Sequence, residues 1–436
     1  MEYQFDRVSV IGLGYIGLPT AAVIANRGVD VIGIDVNAAV VDQLNKGDIH
    51  IVEPGLDVLV RGAVHSGKFR ASLTPEPAQA FLVAVPTPFK DDYQPDLAYV
   101  EAAAKSIAPV LRKGALVILE STSPVGTTLE MAAWLSAARP DLVFPHQTDG
   151  TPDVFIAYCP ERVLPGQVLR ELVENDRVIG GITPECAKRA RSLYKIFVQG
   201  ECVLTDSRTA EMTKLTENAF RDVNIAFANE LSLVCEKLGI DVWELIALAN
   251  RHPRVNILKP GPGVGGHCIA VDPWFIISSA PDTAHLMRTA RQVNDGKPGW
   301  VVDRVRAAAM DMKHPRVACL GLSFKANIDD LRESPALHIV EDLAQRGLGE
   351  LLVVEPHVDV LPRSLRDLPQ VSFVGLQEAL SEANIVVCLV DHDQFKDVEP
   401  AQLDGKVVID TRGLWRHLAA SQPGATVMVP DRALAR

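Results

Sequence analysis

A chain of 436 residues is too long for one compact core, so two or three domains are expected. Its 47% hydrophobic and 22% charged residues suit an ordinary globular protein, and a net charge of −12 argues against general nucleic-acid binding, which needs a basic surface. Seven irregularly spaced cysteines with no C-x-x-C pair indicate neither a zinc site nor a disulfide framework, and no apolar run reaches the ~18 residues of a membrane span. A cytoplasmic protein with reduced thiols, no bound metal, and neither a targeting segment nor a membrane partner is therefore expected.

Arg7-Val8-Ser9-Val10-Ile11 reads as a buried strand and passes at once into Gly12-Leu13-Gly14-Tyr15-Ile16-Gly17. Leu18 to Asn26 reads as a helix ended by Gly28, and Val31-Ile32-Gly33-Ile34-Asp35 as a second strand. That order is the context a dinucleotide fingerprint requires; the alternative is a glycine-rich turn in another fold. Gly12 permits the tight turn, Gly14 admits a pyrophosphate to the backbone, and Gly17 lets helix and strand pack closely. Tyr15 and Ile16 lie between them, where the helix N-terminus offers N–H groups to phosphate. Asp35 stands where an acid binds ribose hydroxyls and repels the extra phosphate of NADP, so NAD is the expected cofactor.

Strand-like runs follow at Ala80 to Val85, before Pro86-Thr87-Pro88, and at Ala115 to Glu120, before Ser121-Thr122-Ser123-Pro124-Val125-Gly126. Ligands of open parallel sheets gather at such carboxyl ends, which makes Thr87, Thr122 and Thr128 candidate cofactor contacts, with ordinary turn and cap chemistry as the alternative. Phe155 to Tyr158 is a further strand, leading into Cys159-Pro160-Glu161-Arg162-Val163-Leu164-Pro165-Gly166. Thr209 to Leu238 then has helical periodicity without Pro or Gly. At ~1.5 Å per residue this is a rod of about 45 Å, long enough to span two domains and to offer a dimerisation face. Lys214, Asn218 and Arg221 share one polar stripe on it, and Leu215, Ala219, Val223, Ala226 and Leu231 supply an apolar surface; a solvated polar face is the alternative.

Gly261, Gly263, Gly265 and Gly266 precede Cys268, and Asp272 follows it by four positions. Glycines let a substrate lie against the backbone, so the thiol can meet a reacting carbon; the alternative is a buried, inert cysteine on a packed loop. A second α/β unit begins near Pro315, with strands at Val317 to Gly321, Leu351 to Val354, Ile385 to Leu389 and Lys406 to Asp410. Gly321-Leu322-Ser323-Phe324-Lys325 lacks the full glycine pattern and predicts no second NAD site. Lys325 and Arg332 lie near the carboxyl end of a strand, where phosphates bind; both also suit a plain surface. The expected architecture is α/β: two Rossmann-like, doubly wound parallel-sheet domains joined by a long central helix. The expected segments are 1–205 for NAD binding, 206–300 for the central helical region with the cysteine loop, and 301–436 for the second Rossmann-like domain.

Taken together, Gly12 to Gly17, Pro86-Thr87-Pro88, Ser121 to Gly126, Pro160-Glu161, Lys214 with Asn218, Gly265-Gly266-His267-Cys268, and Phe324-Lys325 with Asp330-Leu331-Arg332 resemble the nucleotide-sugar 6-dehydrogenases of the UDP-glucose/GDP-mannose dehydrogenase superfamily over nearly the full length. The wording of Cys159 to Gly166, Asn250 to Asn256 and Gly266 to Pro273 looks closest to the branch acting on UDP-N-acetyl-D-mannosamine. The UDP-glucose branch usually has an aromatic residue before the cysteine and a lysine before the aspartate; here those places hold His267 and Val271, which puts glucose in doubt.

The resemblance implies NAD-dependent, four-electron oxidation of a sugar C6 alcohol to the carboxylate, through an aldehyde, a Cys268 thiohemiacetal and a thioester. It places Lys214 and Asn218 beside the reacting oxygen and gives Asp272 and Glu161 the organisation of water. Arg162, Val163, Arg221, His252, Arg254, Gly265, Phe324 and Lys325 would meet the UDP-sugar, and Arg332 the cofactor side. It further implies the supply of a precursor of bacterial-type surface polysaccharide, while the apolar face of the Thr209 to Leu238 helix, more than one small domain can cover, predicts a homodimer or larger homo-oligomer. The same chemistry on UDP-glucose, UDP-N-acetylglucosamine or UDP-N-acetylgalactosamine, a sugar-nucleotide epimerase or reductase, and a non-catalytic NAD sensor are the competing readings. Neither of the last two needs a nucleophilic cysteine.

Overall fold

Short runs of Val, Ile, Leu and Ala, apolar on both faces, build two sheets covered by helices on either side. A computed structural model describes residues 3–90, 93–164, 166–266 and 268–416 of the chain. The first sheet contains β1 (Arg7–Ile11), β2 (Asp30–Ile34), β3 (Phe69–Ser72), β4 (Ala80–Val83), β5 (Leu116–Leu119), β6 (Phe155–Tyr158), β7 (Arg177–Gly181) and β8 (Cys202–Asp206) in the order β3-β2-β1-β4-β5-β6-β7-β8. Its neighbours are parallel except β6 and β7, so the last two strands run against the rest. The second sheet is wholly parallel: β9 (Arg316–Leu320), β10 (Glu350–Val354), β11 (Val371–Phe373), β12 (Ile385–Cys388) and β13 (Val407–Asp410), in the order β11-β10-β9-β12-β13.

In each sheet the order reverses beside the first strand, between β1 and β4 and between β9 and β12. The loops leaving those strands are where an open α/β sheet binds ligands. The expected α/β class with two Rossmann-like sheets is therefore what the chain forms. Strands β3, β7, β8 and β11 had no counterpart in the sequence reading. β3 and β11 are short edge strands with partly exposed residues, which carry no continuous apolar run.

The chain divides into two compact units, one comprising Met1–Glu217 and Trp274–Pro281, the other Asn218–Pro273 and Asp282–Arg436. The long helix, Ser207–Leu238, passes through the boundary between them. Within the first unit, Trp274 stacks on Tyr93 with ring centroids 4.2 Å apart, and Phe275 meets Phe89 edge-on. No helix among the described residues is long and apolar enough to cross a membrane.

Within the second unit the long helix faces a 25-residue helix, His285–Ala309, through a buried polar network. Asp222 Oδ1 accepts from Arg291 Nη1 at 2.6 Å and from Asn294 Nδ2 at 2.8 Å. Asn294 Oδ1 in turn accepts from Asn229 Nδ2 at 2.8 Å. All four residues are buried. Such a network fixes the helices in one register, since sliding either would strand charges away from water. It also helps His285–Ala309 run unbroken through Gly296, Pro298 and Gly299, residues that disfavour a helix interior. Asp222→Ala, which leaves the Arg291 guanidinium buried with less compensation, is expected to destabilise the second unit by about 3 kcal/mol or more. Urea unfolding followed by circular dichroism checks this, and a loss below about 1 kcal/mol would contradict the network's role.

Candidate active site

The three glycines after β1 differ physically. Gly12 has φ +91°, and a Cβ there would lie 2.4 Å from the Ala84 carbonyl oxygen. A Cβ on Gly17 would lie 1.8 Å from the Gly12 carbonyl oxygen, so only glycine lets the helix Gly17–Ala25 start against β1. At Gly14 a Cβ would meet nothing within 4 Å. That open face, beside a helix whose first turn has no side-chain cap, is what a pyrophosphate needs, and the loop fits a dinucleotide. Tyr15 is exposed and Ile16 partly so. Asp35 closes β2; its Oδ2 accepts from Leu13 N–H at 3.1 Å and its Oδ1 from Asn37 N–H at 2.9 Å. The acid thus braces the glycine turn.

At the carboxyl ends of β4 and β5, Thr87 donates its hydroxyl to the Thr122 carbonyl at 2.6 Å, and both residues are partly exposed. Thr128 is placed differently from the expected cofactor contact. It is fully buried, and its hydroxyl and N–H both go to Glu211 Oε1, at 2.6 and 2.8 Å. Glu211 also accepts from Gly126 N–H at 2.6 Å, so an acid on the long helix caps the helix Thr127–Ala138. Burial raises its pKa against those hydrogen bonds. Sequence reasoning missed Glu211 because a long-range cap carries no local motif.

Glu161, after β6, is buried with both oxygens engaged: Oε1 accepts from Arg162 N–H at 2.7 Å and Oε2 from Arg177 Nη1 at 2.5 Å. Arg162 turns its guanidinium into the protein, giving Nη1 to Glu217 Oε1 at 2.6 Å and Nη2 to the Asp176 carbonyl at 2.5 Å, and Val163 packs on the core. Both residues are partly exposed. Lys214 on the long helix is buried, one turn before Asn218, and Arg221 is exposed.

The cysteine loop belongs to the second unit and is tied to the long helix at both ends. Asn229 Oδ1 accepts from Gly261 N–H at 2.8 Å, and Asn218 Nδ2 donates to Asp272 Oδ2 at 2.5 Å. The Cys268 carbonyl starts the next turn, accepting from Val271 and Asp272 N–H at 3.1 and 2.9 Å. Cys268 is partly exposed, whereas the other six cysteines are buried. Burial pushes the thiols of Cys159 and Cys319 up to about 12, which keeps them protonated and inert. His267 lies outside the described residues, as does Pro165.

The loop's glycines press on the loop that leaves β9. A Cβ on Gly265 would lie 2.4 Å from the Glu333 carbonyl oxygen, and one on Gly266, at φ +80°, 3.0 Å from the Phe324 ring. Beside them opens a cavity of about 270 Å³ lined by Gly263, Phe324, Lys325, Asp391 and Arg412 among others. It lies at the β9/β12 reversal and carries two cations. Lys325 is exposed, and Arg412 is held by Asp391 Oδ1 at 3.0 Å from Nε. Arg412 had no signal in the sequence reading, being a lone arginine after a strand. Arg332 is exposed and paired with Asp330 at 2.6 Å, and His252 and Arg254 are exposed on the turn that follows the helix Val242–Ala249.

A dinucleotide fingerprint in one unit, with a partly exposed thiol and a cationic cleft in the other, fits a nucleotide-dependent dehydrogenase. The chain belongs to the UDP-glucose/GDP-mannose dehydrogenase family: residues 6–198 match its NAD binding domain, 208–296 its central domain and 318–417 its UDP binding domain. It is an NAD-dependent nucleotide-sugar dehydrogenase. It is 63% identical over 415 residues to the NDP-N-acetyl-D-galactosaminuronic acid dehydrogenase of Ralstonia nicotianae, covering 95% of this chain and 97% of the relative. It is 62% identical over 421 residues to the UDP-N-acetyl-D-mannosamine dehydrogenase of Escherichia coli K12, covering 95% and 100%. Its structure is similar to that of the UDP-N-acetyl-mannosamine dehydrogenase of Staphylococcus aureus, with TM-score 0.81 and 42% identity over 94% of this chain and 95% of that one.

Behind Glu161 lies a second buried acid that the sequence reading left inside a strand. Glu120 Oε1 accepts from the Tyr194 hydroxyl at 2.6 Å, and its Oε2 is buried with no hydrogen-bond partner. Burial pushes its pKa from 4.5 up to about 7, with Tyr194 opposing and the Glu161 charge assisting. The native state therefore holds a proton that the unfolded chain has lost above pH 4.5, so this stabilisation fades as pH rises through about 7. A shift of that size corresponds to roughly 3 kcal/mol. Glu120→Gln keeps the acceptor for Tyr194 without the charge. Its melting temperature relative to wild type is expected to improve from pH 5 to pH 8; a constant difference would show that Glu120 does not titrate in this range.

Proposed function

We propose that the protein oxidises the C6 alcohol of UDP-N-acetyl-D-mannosamine to the carboxylate in the cytoplasm, supplying a precursor of surface polysaccharide. The observation that carries this reading is Cys268, the partly exposed thiol on a glycine loop bonded at both ends to the long helix. Bound NAD supplies the hydride acceptor. The alcohol's proton goes to a base as C6 becomes an aldehyde, whose carbon holds no transferable hydride until a nucleophile adds. Cys268 Sγ adds to C6 with a proton passing to O6, and loss of the second hydride and that proton leaves a thioester. Water then breaks the C–S bond and returns the thiol, so one alcohol, one water and two NAD+ give one carboxylate, two NADH and three protons.

Lys214 and Asn218, one turn apart on the helix, supply positive charge and an N–H to the oxygen that becomes negative, with Lys214 also a proton acceptor. Asn218 donates to Asp272, which orients its amide and sets the carboxylate to hold water. Glu161 assists with water in the hydrolysis step. Thr87, Thr122, Asp35 and Arg332 face the cofactor in this reading, and Phe324, Lys325, Arg221, His252 and Arg254 meet the UDP-sugar. A second reading keeps the chemistry and exchanges the sugar for UDP-N-acetylgalactosamine, which the Ralstonia relative's name favours.

Comparing kcat/KM for UDP-N-acetylmannosamine, its gluco and galacto epimers and UDP-glucose decides the substrate. A site built for the N-acetyl amide should reject glucose by roughly five- to 150-fold. Two NADH per sugar are expected, and Cys268→Ser should cut turnover by about a thousandfold or more while nucleotide-sugar binding persists. One NADH per sugar, or a serine variant with wild-type turnover, would sink the thiol mechanism.

Assembly follows from the outer side of the same helix. Phe220, Phe227, Val234 and Leu238 are 68%, 55%, 44% and 64% exposed and repeat at helical spacing, while Leu215, Ala219 and Ala226 are buried within the chain. This stripe is the proposed homodimer contact. The wild type should scatter as a dimer or larger, and Phe220→Glu with Phe227→Glu should give the 47.3 kDa particle. A wild-type monomer at micromolar concentration would count against it.

A further inference from the structure

His392 follows β12 by a few residues and is fully buried, yet every polar contact of its ring is with groups that shape the cleft. The Asn327 N–H donates to Nδ1 at 3.0 Å, so the ring proton sits on Nε2. Nε2 lies 3.2 Å from Glu355 Oε2 and 3.3 Å from Ser323 Oγ. The Ser323 hydroxyl donates to the Lys325 carbonyl at 2.8 Å. Glu355 Oε2 also accepts from the N–H groups of Leu322 and Ser323, at 2.7 and 3.0 Å. The loop that presents Phe324 and Lys325 is thus held from beneath at residues 322, 323, 325 and 327.

Its last anchor is Asn327, at φ +62°, in the left-handed region that asparagine tolerates better than most side chains. The His392 contact to its N–H holds it, together with two hydrogen bonds between its side chain and Asp393, at 2.9 and 3.0 Å. Asp391, the residue before His392, fixes Arg412, which lines the same cavity. Adjacent residues after β12 therefore tie down the Arg412 side chain and the loop that carries Lys325.

We propose that His392 is a positioning residue for the nucleoside diphosphate of the substrate: through Asn327 and Ser323 it sets where Phe324 and Lys325 stand in the cleft. This rests on the reading of that cleft as the diphosphate-sugar site. Being buried, His392 acts through the loop and not on the ligand. The ring's hydrogen-bond partners are Ser323, Asn327 and Glu355, none of them in the cysteine loop or in the glycine loop of the first unit, so its loss is expected to fall on binding.

Full-length His392→Leu, His392→Asn, His392→Gln and Lys325→Ala, titrated with UDP by calorimetry and assayed with nucleotide sugar and NAD, test this. His392→Leu should weaken UDP about tenfold and raise KM for the sugar nucleotide alike, with kcat within about threefold and KM for NAD unchanged. His392→Asn, whose Oδ1 stands where Nδ1 stood, should recover most of the affinity. His392→Gln, one methylene longer, should not. If the leucine variant does not fold, the Asn–Gln difference carries the test, and equal UDP affinities in those two would overturn the proposal. UDP affinity near wild type in His392→Leu, with loss in Lys325→Ala, would overturn the positioning role and leave the cleft assignment standing. Wild-type UDP binding in Lys325→Ala would remove the cleft assignment and the role of His392 with it.

Discussion

The long helix organises the second unit through three side chains on its inner face. Asn218 holds Asp272, Asp222 holds Arg291 and Asn294, and Asn229 holds both Asn294 and the first N–H of the glycine loop. The segment carrying Cys268 is glycine-rich and has little apolar surface of its own, so packing alone would not give it one shape. Two hydrogen bonds from a rigid rod do so, and the buried network behind them stops the rod from sliding. The glycines give this loop backbone freedom, and the helix gives the thiol it carries a fixed address.

The two Rossmann-like units reuse one device for different ends. In the first, Asp35 at the end of β2 braces the glycine turn through Leu13 N–H and is only partly buried. In the second, Glu355 in the matching place after β10 is fully enclosed, its oxygens filled by Leu322, Ser323, His357 and His392. Burial raises its pKa, but those donors outweigh the effect and hold it below the usual carboxylate value. Glu355 is therefore turned inward to brace its loop and is not presented at the surface as Asp35 partly is.

Features written into contiguous residues were legible in the sequence: the strand–glycine–helix–strand start, the long helix, and the glycine run before Cys268. Their physics is local, since glycine spacing and apolar periodicity act over a few residues. Glu211, Arg177, Tyr194, Arg412 and His392 were not legible, because each acts on a partner 16 to 83 positions away. Thr128 shows the same limit from the other side. A threonine after a strand end fits a cofactor contact equally well in sequence, and only the distant Glu211 assigns it to the interior. The helix His285–Ala309 was obscured by Gly296, Pro298 and Gly299, whose local preferences are overridden by tertiary contacts.

A Cβ on Gly266 would lie 3.0 Å from the ring of Phe324, so the loop bearing Cys268 and the loop lining the cationic cleft meet along a seam that is tight even for a single methyl. A side chain at position 266 would have to push that ring aside, and with it part of the cleft lining, so a change two residues from the thiol would be felt in the cleft.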